Sequence, residues 1–258
     1  MGVNRMTDAM ATVKAARAPR AYTTRGLIDS MVTDFIEQHG DRNGGDDAAI
    51  IGGTGWLGNR GVTVIATNKG ETLEERLQTN FGGPSPSGYR KAERLMRQAA
   101  KFNRPIITLI NTSGAYPGRE AEEGGQGEAI AHTLLTATQL PVPLIAVIIG
   151  EGGSGGALAF ALGDRVWMSD QSMYSILSPE GFASILWKDS KRSAEAAAVM
   201  GLTPQDLLAK GVVERIIPDT GMQFGYDLRA ALMPELDVLC AKEPAELIAQ
   251  RRLRFRKF

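Results

Sequence analysis

The chain has 258 residues, 43% hydrophobic and 22% charged, and its 29 basic side chains balance its 29 acidic ones. At about 150 residues per domain this is one or two units, and the neutral balance leaves no global field for nucleic acid. One cysteine excludes an internal disulfide or a cysteine-cluster zinc site, two histidines argue against a His-rich metal site, and the longest apolar runs fall short of the roughly 20 residues a membrane span needs. Met1 to Arg20 has no signal-peptide core, so a soluble, cytoplasmic protein is expected.

Residues 1–24, rich in Ala, Lys and Arg, read as a mobile or peripheral helical arm ahead of a single domain over residues 25–258. Leu27 to His39 places Leu27, Ile28, Met31, Val32, Phe35 and Ile36 at helical spacing, which predicts a helix packed on one face. Ala48 to Leu57 and Gly61 to Thr67 are β-branched runs joined by Gly58-Asn59-Arg60, a hairpin pattern. Tyr89 to Phe102 is helical, Pro105 to Ile110 a strand buried on both faces, Gly114 to Gly127 a glycine-rich loop, and Glu128 to Gln139 a helix.

The cycle repeats with a strand over Leu144 to Ile149, a turn over Gly150 to Gly156, a helix over Ala157 to Leu162 and a strand at Arg165 to Met168. Ser193 to Met200 and Thr203 to Lys210 are helices, the second opened by Thr203 as N-cap with Pro204 behind it, and Val212 to Ile217 is a last strand. The final eight residues carry five positive charges, read as a solvated tail or subunit contact. Repeating strand, loop and helix units give an α/β fold with a mostly parallel sheet, whose sites collect at the carboxyl ends of strands.

Five of the seven residues from Gly150 to Gly156 are glycine. Such a turn lets a ligand approach the main chain, and Gly155 and Gly156, opening a helix, bring unpaired N–H donors and the positive end of the helix dipole to one point. This is the geometry of an anion site or oxyanion hole. A tight structural turn is the plain alternative. A dinucleotide fingerprint matches at Gly150, Gly152 and Gly155 without the expected acidic residue after a second strand, and no Lys-Ser or Lys-Thr follows to make a P-loop. Gly114 and Ala115 follow a buried strand and offer a second set of amides.

Glu120, Glu122, Glu123 and Glu128 read as a solvated loop and helix start, and His132 as structural or exposed. Ser113 and Ser154 lack a nucleophile-elbow context. Ser178-Pro179-Glu180-Gly181 is a turn before an apolar helix.

HGDR at His39 to Arg42, NKG at Asn68 to Gly70, NFGGPSPSGYRKAERLM at Asn80 to Met96, GAYPG at Gly114 to Gly118, GQGEAIA at Gly125 to Ala131, IIGEGGSGGALA at Ile148 to Ala159 and YSILSPEGFASILWKD at Tyr174 to Asp189 stand in one order. In that order they closely resemble the alpha subunits of bacterial acetyl-CoA carboxylase carboxyltransferases. The likeness runs from about Tyr22 to Pro218. It implies a crotonase-like (ClpP/crotonase) fold of repeated ββα units, and transfer of a carboxyl group from carboxybiotin on a biotin carrier protein to acetyl-CoA, giving malonyl-CoA for fatty acid biosynthesis.

The resemblance further implies partners: a carboxyltransferase beta subunit in an alpha2beta2 heterotetramer, the biotin carboxyl carrier protein, and biotin carboxylase in the full complex. Zinc is expected on the beta subunit and no metal on this chain. The amides of Gly155, Gly156 and Ala157 would stabilise the biotin oxyanion, with Gly114 and Ala115 shaping the same pocket. Gly152, Gly153, Ser154, Tyr116, Pro117, Ser178, Pro179 and Glu180 would bind the substrates. The chain departs from the family pattern at Ser113, where proline is usual, and at Gly124, where arginine is usual. A non-catalytic scaffold paralogue of the same complex is the alternative.

Overall fold

The computed structural model describes residues 2–258, with side chains from residue 9 onward; Met1, the first residue of the expected arm, lies outside the described residues. Helices α1 (Gly2–Arg17) and α2 (Thr24–Met31) precede strand β1 (Thr33–Glu37) and the hairpin β2 (Ile50–Leu57) and β3 (Arg60–Thr67). Next come α3 (Leu73–Gln78), α4 (Pro86–Lys101), β4 (Ile106–Thr112), α5 (Arg119–Glu123), α6 (Gln126–Gln139) and β5 (Leu144–Gly153). Then follow α7 (Ser154–Ala161), β6 (Arg165–Ser169), β7 (Met173–Ser175), α8 (Pro179–Trp187), α9 (Ser193–Met200), α10 (Pro204–Ala209), β8 (Arg215–Ile217), α11 (Phe224–Cys240) and α12 (Pro244–Phe255).

The eight strands form one sheet in the order β1-β2-β3-β4-β5-β6-β8, with β7 paired to the far end of β5. β1, β2 and β3 are antiparallel and every later pairing is parallel. Successive side chains of a strand face opposite ways, and β5 uses both faces. Leu144, Ala146 and Ile148 enter a core with Tyr89, Leu95 and Phe160. Ile145, Val147 and Ile149 enter a second core with Ile28, Phe224 and Leu228. Helices therefore cover both faces and leave the carboxyl ends of the central strands as the open edge. Among the described residues no helix is long and apolar enough to cross a membrane.

Several expectations are corrected. The helix expected over Leu27 to His39 ends at Met31: Val32 is extended, Asp34 takes φ 52°, and Thr33 to Glu37 pair with β2 across a register shift. The β-branched Val32, Thr33 and Ile36 suit that strand, whereas Phe35 and Ile36 match helical spacing only by coincidence with the alternation. The turn expected from Gly150 begins four residues later, because Gly152 pairs with both Thr112 and Tyr174 and Gly153 pairs with Ser175.

The N-terminal segment is helical but not peripheral. Ala9, Val13 and Ala16 are buried against Met173, Ala197 and Leu202. Nor is the basic tail simply solvated. Arg251 is 1% exposed and uses all five of its N–H donors, on both carboxylate oxygens of Asp164 and the carbonyls of Ala137, Leu140 and Val142.

Candidate active site

The site grows from the ends of β4 and β5. After Thr112 the chain turns at Gly114, whose φ of 144° is open to glycine alone. The Thr112 hydroxyl fixes the turn by accepting from Gly114 N at 3.1 Å and donating to Gly114 O at 2.9 Å. Beside it β5 passes directly into α7. A side chain on Gly153 would overlap the Ser113 carbonyl, and one on Gly156 would overlap Ala115 N and lie 2.7 Å from the Gly114 carbonyl carbon. The two glycine segments thus meet backbone to backbone, as close as the absence of Cβ permits.

The first turn of α7 has no side-chain cap. In a helix starting at Ser154, the N–H groups of Ser154, Gly155 and Gly156 have no carbonyl four residues back to bond, and the helix dipole adds positive potential. A Cβ on Gly155 would meet nothing within 4 Å, so this turn opens into free space. Ser154 at φ 57° holds a left-handed backbone that costs a non-glycine residue roughly 1–2 kcal/mol, a strain typical of functional turns. Gly114, Ala115, Gly155 and Gly156 are brought together as expected. Ala157, expected with them, is fully buried one residue further into α7.

The other expected residues lie around this cradle. The Tyr116 carbonyl and that of Pro84 both accept from Gln126 Nε2 at 2.9 Å, which locks the loop after Ala115. The Tyr116 ring leaves the cradle, lining with Ser85, Arg90 and Glu120 a separate groove of about 340 Å³. Its hydroxyl donates to Glu120 at 2.6 Å, a bond that raises the phenol's pKa and lowers that of Glu120. Pro117 is exposed. Ser178 caps α8, its hydroxyl occupied by Gly181 N at 3.0 Å, and Pro179 takes the first helical position. The carboxylates of Glu123 and Glu128 are exposed, and His132 faces solvent beside Glu128.

Sequence reasoning missed a charged lattice behind the cradle. Glu151 is only 5% exposed, yet it sits in the middle of the glycine run. One carboxylate oxygen accepts from Arg17 Nε at 2.9 Å and the other from Lys69 Nζ, while its own N–H donates to Asn111 Oδ1 at 3.0 Å. Arg17 then grips Glu180 through both terminal nitrogens at 2.9 and 3.1 Å. The Arg17 hydrogen bonds hold the Glu180 carboxyl below its usual range, and Glu180 in turn raises Arg17. A carboxylate inside a buried glycine strand is a legible signal, since burial demands a cationic partner. A cavity of about 210 Å³ adjoins this lattice, lined by Arg17, Arg20, Lys69, Arg76 and Phe81 among others.

A mostly parallel sheet carrying two abutting amide turns at its carboxyl edge places the chain in the crotonase-like fold class. The fold is similar to that of transcarboxylase 12S, solved as a hexamer with methylmalonyl-coenzyme A bound, at TM-score 0.75 and 19% identity over 90% of this chain and 45% of that one. It is also similar to a Pseudomonas malonate decarboxylase hetero-tetramer in complex with coenzyme A, at TM-score 0.72 and 17% identity over 89% of this chain and 92% of that one. Within that class, residues 3–258 match the family model described as acetyl co-enzyme A carboxylase carboxyltransferase-like. Curated acetyl-coenzyme A carboxylase carboxyl transferase alpha subunits from strains of Streptococcus pneumoniae are 52% identical over 249 residues, covering 95% of this chain and 98% of theirs. The chain belongs to this family, as the motifs had implied.

Proposed function

We propose that this chain is the alpha half of an acetyl-CoA carboxylase carboxyltransferase, acting with a beta subunit and a biotin carrier protein to form malonyl-CoA from acetyl-CoA. Biotin carboxylase would complete the assembly, with zinc carried on the beta subunit. The observation that carries this reading is the open amide cradle, where nothing stands within 4 Å of a Cβ placed on Gly155. The cradle fits a planar ureido or thioester oxygen, which needs backbone approach and positive potential rather than a side chain. Carboxybiotin, when bound, supplies the carboxyl group to be transferred.

The residues of this chain do the rest. Gly155 N and Gly156 N, with Ala115 N across the seam, stand ready for negative charge on an oxygen, and such preorganised donors lose no energy to reorientation as charge develops. Gly152 and Gly153 keep the strand narrow enough for the two turns to meet, and Ser154 holds the bend between strand and helix. Glu180 and Ser178 act at one remove, since α8 is anchored to Glu151 through Arg17. Tyr116 forms part of the wall of the 340 Å³ groove, with Pro117 exposed beside it in the same loop.

The test is reconstitution with a beta subunit and carrier-borne carboxybiotin, followed by malonyl-CoA formation. Turnover that disappears when this chain is left out supports the assignment. A stable complex without turnover is the result expected of a scaffold and would refute it.

A further inference from the structure

Tyr89 lies behind the cradle and no role described so far uses it. It is fully buried on α4, its ring stacked on Phe160 at 5.4 Å and 12°, and Thr133 Oγ1 donates to its carbonyl at 3.2 Å. Ring and backbone are therefore fixed. Its hydroxyl is nevertheless among the buried side-chain atoms without a hydrogen-bond partner. Buried polar groups in folded proteins are almost always paired, so an orphan in a well-packed core calls for a reason.

Its position supplies one. A Cβ built on Gly156 would lie 2.9 Å from Tyr89 Oη and would also meet Ala115 N and the Gly114 carbonyl carbon. The phenol oxygen therefore abuts the same seam that joins the two amide turns. Burial, and then the charge of Asp47, raise the phenol's pKa above its ordinary value, so the group is a neutral O–H dipole at neutral pH.

We propose that Tyr89 is a positioning residue for carboxyl transfer, its unpartnered O–H acting through the Gly114–Ala115 and Gly156 seam to favour negative charge in the cradle. An O–H rotor with no acceptor of its own is free to turn its positive end toward charge as that charge develops. In a water-excluded core such a dipole is poorly screened. Gly156 then has two reasons to be glycine: it lets Ala115 N approach, and it keeps Tyr89 Oη against the seam. The inference rests on the cradle being the oxyanion site of the proposed function.

The experiment compares wild type with Tyr89→Phe in the complex reconstituted with beta subunit and carrier-borne carboxybiotin. A donor in direct contact with developing charge is worth ~10²–10³-fold, and one acting from behind the seam is expected to give roughly a 10-fold loss of kcat with KM within about twofold. The melting temperature should equal or exceed that of wild type, because only an orphan hydroxyl has been removed. A 3-fluorotyrosine at position 89, a stronger donor of nearly the same size, should restore kcat. An unchanged kcat in Tyr89→Phe overturns the inference, as does a loss that follows a lowered melting temperature and is not restored by fluorotyrosine. Absence of transfer in the wild-type complex overturns the functional reading itself, so the two failures are distinguishable.

Discussion

The clearest perturbation of the cradle is at Gly155, where fold and function should respond in opposite directions. Its backbone is not left-handed, and a Cβ there meets nothing within 4 Å, so a side chain fits without strain. Gly155→Ala should stabilise the protein by ~0.4–1 kcal/mol by restricting the unfolded chain, a rise in melting temperature of about 1–4 °C at this size. Helical Cβ atoms tilt toward the helix N-terminus, which carries any side chain at 155 over the free amides. Gly155→Val should therefore obstruct the oxygen's approach, and losing one such donor costs ~3 kcal/mol, or about 100-fold in turnover. The assay is malonyl-CoA formation in the reconstituted complex alongside thermal melting. A Gly155→Val protein that melts like wild type and turns over within a few-fold of it would refute the cradle. Gly156 is a poorer choice, because any Cβ there collides with Ala115 N and damages the fold directly.

Arg251→Met leaves Asp164 buried without its cation and should destabilise by ~3–5 kcal/mol in chemical denaturation, and a change below about 1 kcal/mol would show the pair to be dispensable. Glu151→Gln removes the carboxylate shared by Arg17 and Lys69, so amides of α1 should exchange with solvent faster than in wild type by native-state hydrogen exchange, whereas unaltered protection would mean that α1 is held by its apolar contacts alone. Glu180 has a folded pKa below its unfolded value, so its contribution is complete above about pH 4.3 and is lost as pH falls through the lower folded value. Melting curves of wild type and Glu180→Gln should converge as the medium is acidified below pH ~4, and a constant gap down to that range would contradict the sign.

The parts of the fold legible in the sequence are those governed by local pattern. Strands β2 to β5, the hairpin and the Thr203 cap follow from alternation and capping chemistry, and Thr203 does accept from Asp206 N at 3.1 Å. The glycine turns were legible as backbone that something must approach. What was hidden depends on distant partners. The N-terminal helix packs small residues, Ala9 and Ala16, on another small-residue helix at Ala197, a contact that leaves no large apolar stripe to read. Arg251 looked like one charge in a basic tail because its acceptors lie more than a hundred residues earlier, apart from Asp164. Glu151 was visible as a carboxylate in a buried run, but neither Arg17 nor Lys69 could be assigned to it from spacing.

The Arg17 clasp also has a temporal meaning. Its carboxylate partners lie 134 and 163 residues further along the chain. During synthesis helix α1 leaves the ribosome well ahead of these partners, and it has no docking surface until Glu151, α8 and α9 have all been made. At ~5–20 residues per second the helix waits roughly ten seconds or more with Ala9, Val13 and Ala16 uncovered. The face it leaves uncovered, Ala9, Val13 and Ala16, is made of small residues that expose little apolar surface, and a segment translated early becomes among the latest to be seated.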